Sequence, residues 1–173
     1  MEVNVRNKFK TIVAIMMISC MIALNAYAEQ KVGYSYNPND ETLFLPSKIS
    51  REIFEDVRGT WLSSGMLEIS NPGGGEIGVY MVTQCHQPVD EIVMSLFVDQ
   101  WNEEKEEWQQ VDYKQFSLSA EDLDEPLTDL TLSFNLTGHE KNQWYRLRGF
   151  HVVYKGDDSE MFSTRTDGIK ITS

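Results

Sequence analysis

The sequence predicts an all-β fold, an antiparallel β-sandwich of about seven strands with one short helix ahead of them. Three observations predict it. From residue 59 onward, apolar and polar side chains alternate with a period of two, as they do in half-buried strands. Residues that favour turns separate these runs at short intervals. Almost no helical spacing lies between them, so a sandwich is the preferred architecture and a small barrel is the alternative.

A short helix is predicted near residues 47–57, because Ile49, Ile53 and Val57 recur at helical spacing. Ser47 or Ser50 could cap its first turn. The preceding residues, 29–42, are polar and show no periodicity, which is typical of a flexible leader. The sequence therefore predicts one sandwich domain over residues 43–173, with the helix included.

The strands are predicted from alternation and from the turns between them. The clearest alternation sets Leu130, Leu132 and Phe134 against Thr131 and Ser133. Glycine, proline, asparagine and aspartate cluster between the runs, where turns need them. The extended runs, of which the last two are short, occupy residues 61–70, 76–84, 92–101, 108–118, 130–137, 143–155, 161–165 and 169–172.

Residues 1–28 are predicted to be an export signal. Basic residues open the segment, residues 11–24 are almost wholly apolar, and small residues stand at Ala26 and Ala28. The apolar run is shorter than the roughly 20 residues that span a bilayer. We therefore expect a secreted protein that is cleaved after Ala28 and does not span the membrane. Lipidation at Cys20 after an earlier cleavage is the alternative.

The net charge argues against two classes of partner, and the cysteine count argues against stabilisation by disulfides. The formal net charge is −12, which repels nucleic acids and anionic membranes. Once the signal is removed, Cys85 is the only cysteine of the chain, so no internal disulfide can form. The fold must depend on its packed core, with Cys85 expected as a buried thiol.

Trp101 and Trp108 flank a charged loop and are predicted to face each other across a hairpin. The same register would place Val98 opposite Val111 and Leu96 opposite Tyr113. One interpretation of the tryptophan pair is a clamp that closes the hairpin. The other is an exposed aromatic platform that binds a glycan or a protein.

A second candidate binding set consists of Trp144, Arg146 and Arg148, which alternate with Phe150 on one face of a strand. Guanidinium groups stack well on aromatic rings. One interpretation is a cation–π ladder that covers a sheet face. The other is a stripe that binds anions on an otherwise acidic protein.

No catalytic, metal or cofactor site is predicted. The three histidines stand at no spacing typical of zinc ligands, and the acidic loops lack the pattern of a calcium loop. Gly73, Gly74 and Gly75 lack the lysine and helix that follow in a phosphate-binding loop, and so indicate a hairpin turn. No nucleophile motif is present.

Two resemblances bear on the fold. The Tyr145-x-Leu147-x-Gly149 segment resembles the F strand of fibronectin type III domains, where the tyrosine forms a tyrosine corner, and the segment 156–166 resembles the following turn and G strand. The resemblance implies a fibronectin- or immunoglobulin-like sandwich. It covers only the C-terminal part of the chain.

The second resemblance covers most of the chain after the signal. The residues that carry it are Gly65, Ile69, Gly74, Gly75, Ile77, Thr83, Val89, Asp90, Ile92, Trp101, Trp108, Val111, Tyr145, Arg146, Arg148, Gly149, His151, Thr166, Asp167 and Gly168. This pattern is similar to that of small secreted proteins of Gram-positive Firmicutes that form a domain-of-unknown-function family. The resemblance implies export and a β fold, but no activity or site.

The sequence therefore favours a secreted, non-catalytic extracellular module that binds a protein or glycan or plays a structural role. A secreted antimicrobial or toxin-like effector is the alternative, and an extracellular hydrolase comes third. The partner itself is not specified by any motif.

Overall fold

The structure, a computed structural model, describes residues 41–55 and 58–173. The predicted export signal and residues 29–40 of the predicted leader lie outside the described residues. Among the described residues, no helix has both the length and the hydropathy that crossing a bilayer requires.

The described residues form two β-sheets, which confirms the predicted all-β sandwich. Ten strands build them, and a single 3₁₀ turn covers Ala120–Asp122. The strands are β1 (Phe44–Leu45), β2 (Ile49–Glu55), β3 (Leu62–Gly73), β4 (Glu76–Cys85), β5 (Glu91–Asn102), β6 (Glu107–Ser119), β7 (Asp129–Leu136), β8 (Gln143–Lys155), β9 (Asp158–Arg165) and β10 (Gly168–Ile171).

The six-stranded sheet has the order β1-β10-β8-β5-β6. Strand β9 joins it by pairing with β8 from Arg148 to Lys155, beyond the short stretch of β8 that pairs with β10. The four-stranded sheet has the order β2-β3-β4-β7. Strand β1 runs parallel to β10, and the other pairings described are antiparallel.

One hydrophobic core lies between the two sheets. It is filled by the inward side chains of both, which are almost fully buried because the alternation of each strand points every second residue inward. Its members include Leu67, Ile69, Ile77 and Met81 from the four-stranded sheet, and Ile92, Met94, Leu96, Leu147 and Val153 from the six-stranded sheet.

The predicted helix near 47–57 is wrong over the residues that the structure describes. Ile49–Glu55 form strand β2, which pairs with β3 along its whole length. Ile49 and Ile53, whose spacing indicated a helix, are about half exposed on the outer side of this edge strand. Pairing with β3 therefore outweighs a local helical pattern. Residues 56 and 57 lie outside the described residues.

The predicted register of the β5–β6 hairpin is confirmed at its closed end. Trp101 pairs with Trp108, and Asp99 pairs with Gln110. Beyond that point the prediction is wrong, because Val98 pairs with Asp112 and Leu96 with Lys114. Val111 is an extra residue on β6, a β-bulge that shifts every later pair by one position.

His151 is fully buried on the inner side of β8. Its Nδ1 lies 2.8 Å from Thr83 Oγ1, and its Nε2 lies 3.0 Å from Thr164 Oγ1. The ring stacks on Phe162 with 4.4 Å between centroids. Burial lowers the pKa of His151 from 6.5 to about 3, so the folded protein keeps this ring neutral.

This histidine should make the fold sensitive to acid. Below pH 6.5 His151 binds a proton in the unfolded chain, whereas in the folded chain it does so only near pH 3. The free energy of unfolding therefore decreases as the pH falls from 6.5 to about 3. Relative to His151→Gln, we expect the wild type to lose about 2–3 kcal/mol more between pH 7 and pH 4.5. Urea unfolding at both pH values measures the difference.

His86→Gln is the control, because it removes an exposed histidine of the same chain and leaves His151 in place. An identical dependence in the wild type and in His151→Gln would show that His151 is protonated in the folded protein.

Candidate functional site

The structure brings the predicted tryptophans together at one end of the six-stranded sheet. Trp101, Trp108 and Trp144 surround the ring of Phe44, which belongs to β1. The centroid of the Phe44 ring lies 5.1 Å from Trp101, 5.6 Å from Trp108 and 5.2 Å from Trp144. We call these four residues the Phe44 cluster.

The Phe44 cluster is not the exposed platform that was one of the two interpretations. Trp108 is only 2% exposed, and it meets Trp101 edge to face with 5.4 Å between centroids. Trp101 and Trp144 are partly buried, while Phe44 itself is 42% exposed. The three tryptophans therefore pack around the Phe44 ring of β1 and hold it against the sheet.

Beneath the Phe44 cluster lies a buried ionic cluster of Asp99, Arg146 and Arg148, which we call the Asp99 cluster. Asp99 Oδ2 accepts hydrogen bonds from Arg146 Nε at 3.0 Å and from Arg148 Nε at 2.8 Å. Asp99 Oδ1 accepts one from Arg148 Nη2 at 3.0 Å, and Gln110 Oε1 accepts another from the same nitrogen at 3.1 Å. All three charged residues are at most 1% exposed.

Both arginines make cation–π contacts with aromatic rings on neighbouring strands. The Arg146 guanidinium lies 4.8 Å from the centroid of the Trp108 ring, and the Arg148 guanidinium lies 4.8 Å from that of Phe97. The two arginines do not form an exposed stripe, because both are buried and share the carboxylate of Asp99. Arg146 also donates from Nη1 to the Thr42 hydroxyl, which ties the segment before β1 to the sheet.

Sequence reasoning did not pair Asp99 with the arginines. The pairing depends on β5 lying beside β8, which sets Asp99 opposite Arg146. A signal was present, since Asp99 is the one acid within the otherwise apolar and neutral run 92–101. A lone acid in such a run needs a buried cation.

A groove runs across the outer face of the four-stranded sheet, with a volume of about 750 Å³. One wall is a row of neighbours in register, where Arg51 pairs with Glu68, Glu68 with Tyr80, and Tyr80 with Ser133.

The adjacent row forms the floor of the groove, with Ser70 opposite Gly78 and Gly78 opposite Asn135. We call these two rows the sheet groove.

Gly78 leaves room for the side chain of Ser70. A Cβ atom at this position would lie 2.2 Å from Ser70 Oγ, so the Ser70 hydroxyl lies over Gly78, which is buried. Glycine inside a strand often marks a place where another group approaches the backbone closely. Gly78, between Ile77 and Val79, is the signal of this close contact that sequence reasoning missed.

The sheet groove offers hydrogen-bonding groups and the ring of Tyr80, and Met66 and Phe134 add apolar surface to its lining. Arg51 donates from Nε to Glu68 Oε2 at 2.8 Å, and its Nη2 donates to the same oxygen. Asn135 Nδ2 donates to Glu76 Oε2 at 2.7 Å. Tyr80 is partly exposed between them. Such an arrangement suits non-covalent recognition of a polar ligand.

Two further features concern metal binding and the reactivity of the cysteine. Within residues 41–55 and 58–173, no group of three or more histidine, cysteine, aspartate or glutamate side chains could hold a metal ion. Cys85 is half-buried, less buried than the sequence led us to expect. Burial, with the charges of Asp129 and Glu160, raises the pKa of its thiol to about 11, so few thiolates form at neutral pH.

Comparison with models of known protein families finds none that matches this chain. A comparison with curated proteins finds no significant match either.

Proposed function

We propose that the chain is a secreted, non-catalytic binding module and that the sheet groove is its binding surface for an extracellular protein or glycan. The observation that carries the proposal is the groove itself, a depression on the outer face of the four-stranded sheet that is lined by charged, polar and aromatic residues. The export signal expected in residues 1–28 supports a role outside the cell.

The scaffold beneath the groove supports such a role, because it is rigid. Ile69, Val79 and Met81 lie on the inner side of β3 and β4 and are fully or almost fully buried. Their packing fixes the strands whose outer side chains form the groove. A site held in one geometry before binding avoids the entropy cost of ordering it.

A contact at the other sheet supports the proposed likeness to fibronectin type III domains. Tyr145 donates a hydrogen bond from its hydroxyl to the Glu140 carbonyl at 2.9 Å. A tyrosine that bonds a few residues upstream is the tyrosine corner of such sandwiches. Many cell-surface domains share this architecture, so the likeness favours an extracellular interaction role by analogy.

Filling the groove tests the proposal. Ser133→Trp places a large side chain in the groove on an exposed position of edge strand β7, where tryptophan suits a strand. We expect the wild type to bind at least one member of a combined glycan and extracellular-protein array, and Ser133→Trp to lose that signal.

Ser117→Trp is the matched control, because Ser117 is also an exposed serine of an edge strand but lies on the six-stranded sheet. It should bind as the wild type does. Unchanged binding by Ser133→Trp, or no binding by the wild type, would contradict the proposal.

A further inference from the structure

We infer that the ligand of the sheet groove is a neutral glycan in extended form. The inference rests on the proposed function and names the chemical class of its ligand.

The first support is the pattern of donors and acceptors. Sugar hydroxyls each donate and accept, so they suit a surface that presents both kinds of group side by side. The groove presents the guanidinium of Arg51 beside the carboxylate of Glu68, and the hydroxyls of Ser70 and Ser133 beside the amide of Asn135.

The second support is the ring of Tyr80. It lies in the middle of the wall row, between Glu68 on β3 and Ser133 on β7, and it is partly exposed. The face of an aromatic ring carries partial negative charge and attracts polarised C–H groups. A pyranose ring offers such C–H groups on one face and hydroxyls at its rim, which would meet the polar neighbours of Tyr80.

The third support is electrostatic. Arg51 and Glu68 form an ion pair, so the two opposite charges of the wall row compensate each other. The chain as a whole carries a net charge of −12. Polyanions such as acidic polysaccharides are repelled by this field and find no net positive charge in the wall row to offset the repulsion.

The fourth support separates a glycan from a peptide. An extended peptide usually binds by adding a strand to a sheet edge, where backbone groups are unpaired. The sheet groove instead lies on the outer face of the sheet and is lined by residues of β2, β3, β4 and β7, and the two central strands have both edges paired. The four strands give a path of roughly 14 Å, since neighbouring strands lie about 4.8 Å apart. A glycan satisfies its polar groups through side chains alone and can follow such a path.

Affinity electrophoresis tests the inference, with the purified protein run through native gels that contain mannan, xylan, a soluble β-glucan or polygalacturonate. We expect at least one of the three neutral polysaccharides to retard the protein and polygalacturonate to have no effect. Tyr80→Ala should weaken the retardation about tenfold, while Tyr80→Phe, which keeps the ring, should retain it.

Tyr154→Ala is the control, because Tyr154 is an exposed tyrosine of β8 on the other sheet. It should migrate as the wild type does. Retardation by polygalacturonate alone, or equal retardation of the wild type and Tyr80→Ala, would overturn the inference.

The result also separates the two proposals. If no neutral polysaccharide retards the protein but Ser133→Trp abolishes binding to a protein on the array, the glycan inference fails and the binding module stands. If neither assay depends on the groove, both fail.

Discussion

Replacing Asp99 with asparagine is expected to lower the free energy of unfolding by about 3–5 kcal/mol. Arg146 and Arg148 are buried and share this one carboxylate. Removing its charge takes away the carboxylate to which both buried cations donate, which costs far more than losing an exposed ion pair. Urea unfolding at neutral pH, with the slope compared to that of the wild type, measures the loss.

Two further variants make this prediction specific to the buried charges. Asp157→Asn removes an exposed carboxylate from the β8–β9 turn and should change stability by less than about 0.5 kcal/mol. Replacing Asp99, Arg146 and Arg148 together by leucine and methionines should restore much of the loss, because no buried charge remains. A loss below about 1 kcal/mol in Asp99→Asn would mean that another group neutralises the arginines.

Trp108→Ala is expected to cost about 3–5 kcal/mol, because Trp108 is almost fully buried and contacts several elements at once. Its ring stacks on Phe44, meets Trp101 edge to face and lies against the Arg146 guanidinium. It also fills the space beside Gly168, where a Cβ would lie 2.8 Å from the ring. Thermal and urea unfolding measure the cost.

Trp101→Ala is the comparison for this variant, since Trp101 is more exposed and should cost less. A double-mutant cycle between Phe44→Ala and Trp108→Ala should give a coupling of about 0.5–1.5 kcal/mol. Equal losses at Trp101 and Trp108, with no coupling to Phe44, would contradict the packing of the Phe44 cluster.

Local patterns predicted the fold well where strands are neighbours in sequence. The facing tryptophans set the register at the closed end of the β5–β6 hairpin, because two bulky rings at equal distance from a turn indicate a pair. The predicted register fails beyond Val111, because this residue forms a β-bulge. A bulge adds one residue to a strand, and the alternation of the sequence does not reveal it. Strand β2 was missed because its partner β3 supplies its stability, whereas its own pattern is helical.

The candidate sites depend even more than the strands on residues that are distant in sequence. Alternation correctly set Arg146 and Arg148 on one face. Their buried hydrogen bonds, however, reach Asp99 of β5 and Thr42 just before β1, both distant in sequence. The groove depends on Gly78, Ser70 and Asn135, which three different strands contribute. No short segment contains that arrangement, so only the paired sheet reveals it.

The pairing of β1 with β10 joins parts of the chain that lie far apart in sequence, as the bond between Leu43 and Asp167 shows at a separation of 124 residues. Closing a loop of that length costs about 4 kcal/mol of chain entropy before any contact repays it. The Phe44 cluster and the bond from Arg146 to Thr42 supply the compensation, and each needs the six-stranded sheet to exist already. We therefore expect β1 to pair with the sheet late in folding. Because many contacts join residues that are distant in sequence, we also expect the whole protein to fold slowly.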